Sequence, residues 1–73
     1  MASIKLTAAV EALSALAHEG RLSVFRLLVR SGPGGMAAGD IARKLEVLPN
    51  TLSSSLAVLS GAGLINSRRE GRS

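Results

Sequence analysis

Apolar residues recur along this chain at helical spacing, in four blocks set apart by turn-forming residues. Leu6, Val10, Leu13 and Ala17 stand at i, i+4, i+7 and i+11 and predict a first helix over residues 4–17 with a single apolar stripe. Ile4 and Leu16 widen that stripe, leaving more apolar surface than so small a chain can cover by itself. His18-Glu19-Gly20 interrupts the pattern, and a second helix then runs to about Ser31. Its Leu22, Phe25, Leu28 and Val29 are expected inward, with Arg21, Arg26 and Arg30 elsewhere on its surface. Gly32-Pro33-Gly34-Gly35 ends it, because glycine supplies left-handed backbone and proline cannot continue a helix.

The third block is short. Ala38, Ile41, Ala42 and Leu45 form one apolar face, with Asp40 early and Arg43-Lys44 late, the order that complements a helix dipole. Ala37 ahead of it offers no side-chain acceptor for an N-cap. Glu46-Val47-Leu48-Pro49-Asn50 is the connector, and Pro49 suits the first turn of the next helix, where its missing N–H is no loss. In that fourth helix Leu52, Leu56 and Leu59 are core, while Asn50, Ser54, Ala57 and Gly61 point the other way with Ser53 on the flank. Gly61 and Gly63 stop it. Leu64-Ile65-Asn66-Ser67-Arg68 then reads as a strand, and Glu70-Gly71 as a tight turn with Gly71 at positive φ. No return strand follows before Ser73.

Composition narrows the chemistry. The 73 residues make one domain, residues 1–73, with a thin core that a partner subunit or a ligand is expected to reinforce. The absence of cysteine removes disulfides, thiolate zinc sites and cysteine nucleophiles. His18 is the one histidine, read as a helix-start or interhelix residue, and it has no second imidazole to complete a metal cage. A single Phe argues against a base-stacking platform, and the Gly-Pro-Gly-Gly segment lacks the Lys-Ser/Thr of a phosphate loop. No catalytic residue, metal ligand or cofactor is assigned, and an enzyme is not expected.

The formal net charge is +4, and half of it sits in the last six residues, where Arg68, Arg69 and Arg72 face a single Glu70. Concentrated arginine beside a helical body favours a polyanion, nucleic acid before membrane. The plainer alternative is a set of solvated charges that keeps a small domain soluble. Lys5 ahead of a stretch ending Ala15-Leu16-Ala17 has the outline of a secretory signal, but Glu11 breaks its apolar centre. No run of about 18 apolar residues exists to span a membrane. The expectation is a cytoplasmic protein with no membrane partner.

Two short helices joined by a tight turn, then a strand and an arginine-bearing turn, form a helix-turn-helix over about 37–62 with the start of a wing over about 64–73. A helix fits the major groove of B-DNA, and a basic hairpin beside it reaches phosphates or the minor groove. Four segments in register resemble the ArsR-type winged-helix repressors. They are Ala15-Leu16-Ala17-His18-Glu19-Gly20-Arg21-Leu22, Asp40-Ile41-Ala42-Arg43-Lys44-Leu45, the run from Asn50 to Leu59, and Ala62-Gly63-Leu64-Ile65 with Ser67-Arg68-Arg69-Glu70-Gly71-Arg72. The resemblance covers about residues 10–73. It implies a mainly α, winged helix-turn-helix fold with a three- to four-helix core and a truncated β-wing. It also implies a homodimer, formed through the first helix, that represses transcription by occupying double-stranded DNA.

On that resemblance Asn50, Thr51, Ser53, Ser54 and Ser55 approach the major groove, and Arg68, Arg69 and Arg72 contact phosphates or the minor groove. The departures are informative. The cysteine pair of many family members falls near Ala37 and Gly39, neither of which ligates a metal. The Arg, His and Lys expected on the recognition helix are replaced by Ser54, Ser55 and Ala57. The family's second wing strand and terminal helix have no counterpart before Ser73. Those losses keep a second reading open, a winged-helix-like interaction module that dimerises without specific DNA binding. A cationic amphipathic protein of the membrane surface is a third, opposed by the mid-chain glycine break.

Overall fold

Each apolar block becomes a helix. The computed structural model describes residues 5–66, which form α1 (Leu6–Leu16), α2 (Glu19–Ser31), α3 (Ala38–Leu45) and α4 (Pro49–Gly61), with no strand among the described residues. None of these helices has a side-chain N-cap, since Lys5, His18, Ala37 and Leu48 occupy the cap positions without a capping bond. Glu19 in the first turn of α2 and Asp40 in that of α3 compensate in part by placing carboxylates near the free N–H groups. Pro49 opens α4.

The C-terminal ends are better defined. Gly63, at φ 78°, closes α4 with its N–H on the Ser60 carbonyl, while the Leu64 N–H donates to Leu59. That paired pattern is a Schellman motif, and it leaves Leu64 packed against the core. α3 ends the same way, with Glu46 N–H to Arg43 and Val47 N–H to Ala42. Here the left-handed position is taken by Glu46, at φ 56°, without the freedom of glycine.

The core draws on every helix. Ala15, Val24, Ile41, Leu52 and Leu59 are buried, and Leu59 has no exposed surface at all. α2 and α4 each pack on the other three helices, whereas α1 and α3 do not touch. Leu52 and Leu59 are the expected core positions of α4, with Leu56 half-buried beside them.

One expectation is corrected, the inward placing of Leu22 and Val29 on α2. The stripe of α1 is on the solvent side: Leu6 is 79%, Val10 54% and Leu13 69% exposed. Ala15 is buried instead, flanked by half-buried Ala9, Ala12 and Leu16. Alanines let the α1 backbone approach its neighbours closely, and Leu6, Val10 and Leu13 lie within about 40° of the direction opposite Ala15 at 100° per residue. In α2 the inward face centres on Val24, with Phe25, Leu27 and Leu28 half-buried, and Leu22 and Val29 are exposed. The last two fall about 160° and 140° around the helix from Val24. Finally, Leu64–Asn66, the described part of the expected strand, forms no sheet pairing. The Leu64 N–H is already committed to the end of α4. Ser67, Arg68 and the Glu70-Gly71 turn lie outside the described residues, as does Ile4 at the expected start of α1.

Candidate nucleic-acid interface

α3 and α4 are joined by Glu46, Val47 and Leu48, a turn length that suits a helix-turn-helix. Val47 is half-buried and packs on the core, holding the turn down, while Leu48 is exposed. Ile41 anchors α3 from beneath, and Leu52 and Leu59 anchor α4. These contacts decide which side of α4 faces outward.

That side is polar and uncharged. Asn50, Thr51, Ser53, Ser54 and Ala57 are exposed, and α4 from Pro49 to Gly61 contains no ionisable residue. Ser55 differs from its neighbours. It is half-buried, about 60° around the helix from Leu52 and so on the flank nearer the core. Among the described residues, side-chain hydrogen bonds come from Arg21, Ser31 and Arg43, and none involves α4. The Asn50 amide and the hydroxyls of Thr51, Ser53 and Ser54 therefore face outward without internal partners. The expected wing arginines Arg68, Arg69 and Arg72 lie outside the described residues.

The cations of the described region are distributed unevenly. Arg43 pairs with Asp40 one turn back on α3, at an exposed site. Lys44, Arg26 and Arg30 are exposed. Arg21 serves the fold: its Nε donates to the Ala15 carbonyl at 2.7 Å and a terminal nitrogen donates to the Ser14 carbonyl at 3.4 Å. Both carbonyls belong to the last turn of α1, where a helix end leaves acceptors open, and that of Ser14 also accepts from the Ala17 N–H. The helical pattern places Arg21 on the surface of α2, and no local pattern announces its role, because the bonds reach back across the α1–α2 turn. Arg21 also edges a shallow cleft of about 290 Å³ between α1 and α4, walled by Ala15, Val58 and Ala62 with Glu11 on the rim. His18 is exposed at the start of α2, as expected of a helix-start residue.

Comparison with known proteins fits this arrangement. The helix-turn-helix domain family matches residues 16–68, which take in α2, α3 and α4. Over 60 residues the chain is 37% identical to the biofilm growth-associated repressor of Agrobacterium fabrum (strain C58 / ATCC 33970). The match covers 82% of this chain and 49% of that protein, so the chain spans about half the length of this curated relative.

Proposed function

The chain belongs to the helix-turn-helix domain family, and from that premise we propose that it is a sequence-specific DNA-binding transcriptional regulator, a dimeric repressor of the ArsR type. One observation carries the reading: α4 presents an exposed row of unpartnered hydrogen-bonding groups at Asn50, Thr51, Ser53 and Ser54, seated on a helix-turn-helix. A recognition helix inserts its N-terminal residues into the major groove, and these are the residues at that end of α4. Its first turn also has no side-chain cap, which leaves N–H donors free for a phosphate. Ser55, half-buried, contributes at the margin of the contact. Arg68, Arg69 and Arg72 add phosphate or minor-groove contacts from the wing. The name of the Agrobacterium relative supports repression.

The dimer is assigned to α1. Leu6, Val10 and Leu13 form an exposed apolar row on a chain with a thin core, and a second subunit laid along it removes that row from water. A second reading deserves a test because α4 carries no cation: a dimerising interaction module without specific DNA binding. Gel-shift titration of promoter fragments separates the two. A regulator keeps a discrete complex under excess nonspecific DNA, and an interaction module loses it. Replacing Arg68, Arg69 and Arg72 with alanine is expected to weaken binding to all sequences and to flatten log affinity against log salt by about 0.9 per lost phosphate contact. An unchanged slope removes the wing assignment.

A further inference from the structure

We infer that the exposed face of α4 is built to read A·T base pairs, with Asn50 bonded to an adenine and the methyls of Thr51 and Ala57 against thymine. The inference rests on the DNA-binding reading above and adds the base composition of the half-site. In the major groove a G·C pair is distinguished chiefly by Arg or Lys on guanine O6 and N7, or by Asp or Glu accepting from cytosine N4. α4 has none of these four residue types anywhere along its length. Serine hydroxyls at positions 53 and 54 bond to bases of either kind and to phosphates, so they hold the helix without choosing a sequence.

Two kinds of discriminating group are left on the face. Asn50 has one carboxamide, exposed and free of internal hydrogen bonds, and its donor and acceptor match adenine N7 and N6 together. It stands at the N-terminal end of the helix, the end that goes deepest into the groove. The exposed Thr51 and Ala57 supply methyl groups on the outward half of the helix, and apolar contact in the major groove selects the thymine C5-methyl. Both kinds of contact point to the same pair. The flanking cations Arg43 and Lys44 belong to α3, not to the reading helix.

The test is in vitro selection from a random duplex library with the full chain, followed by binding to the selected site with adenine replaced by 7-deazaadenine, which removes the N7 acceptor and keeps Watson–Crick pairing. Wild-type protein is expected to select A·T at the positions under α4 and to lose about ten-fold in affinity on the 7-deaza duplex. Asn50→Ala is expected to accept any base at one of those positions and to be indifferent to the 7-deaza change. Circular dichroism serves as the folding control, since Asn50 is exposed. G·C preferences that persist in Asn50→Ala overturn the inference and leave the regulator standing. A·T preference with equal 7-deaza loss in both proteins also overturns it, because the reading is then done elsewhere. Selection of no sequence at all overturns the DNA-reading function itself.

Discussion

Leu6, Val10 and Leu13 on α1 have the same spacing as Leu52, Leu56 and Leu59 on α4, yet the first set is exposed while the second lies in or against the core. The difference comes from what each helix carries on its other side. α4 has one apolar face, and the opposite one is Asn50, Ser54, Ala57 and Gly61, so its orientation is not in competition. α1 has two apolar faces, one of leucine and valine and one centred on Ala15. Burying the alanine face lets α1 sit close to α2 and α4, and the Arg21 bonds to Ser14 and Ala15 hold its last turn there. The larger side chains are then left facing solvent. A stripe at helical spacing identifies a face that prefers to leave water, without saying which surface covers it.

The contrast can be broken by mutation. Leu59→Ala removes a fully buried side chain and is expected to cost about 3 kcal/mol, a large part of the stability of a 73-residue domain. Leu13→Ala is expected to change urea stability by no more than about 0.5 kcal/mol at dilution where any dimer dissociates. Equal losses at the two positions would mean that α1 is packed the other way round. The double variant Leu6→Glu with Leu13→Glu is expected to weaken self-association at least ten-fold by sedimentation equilibrium, with helix content retained, because each charge must be desolvated in an apolar interface. An unaltered association constant moves the dimer contact off α1.

Smaller effects sharpen the same comparison. Arg21→Ala deprives the end of α1 of its cap and is expected to cost about 1 kcal/mol in thermal or urea unfolding, with amide exchange rising first in α1. No change there would mean that the alanine face alone seats the helix. On the α4 side, Glu46→Gly relieves the left-handed residue in the turn before α4 and is expected to add about 0.5–1 kcal/mol. A loss of stability would show that the Glu46 side chain contributes more than its backbone costs.

Much of this was legible in the residues. The four helices, the glycine stops after α2 and α4, Pro49 at the head of α4 and the outward row of Asn50, Ser53 and Ser54 follow from spacing and turn chemistry alone. α2 is harder because apolar residues lie around most of it, Leu22 and Val29 as well as Val24, Phe25, Leu27 and Leu28, so packing decides which side turns inward, and that side centres on Val24. The retraction of Ser55 toward the core was hidden by its place in a run of like residues; only the angle from Leu52 separates it from Ser54. Leu64 looked like a strand residue by composition, and the close of α4 uses its N–H instead.

The sequence by itself determined where helices start and stop, that α4 is polar and uncharged on one side, and that nothing in the chain can bind a metal through thiolate. These depend on local propensity, on the presence or absence of a side-chain chemistry, and on a helix with a single apolar face. The tertiary structure decided which of two apolar faces α1 buries and which arginine stays home as a cap. Both outcomes turn on how closely two backbones can approach, and that distance belongs to the pair of elements, not to either one's sequence.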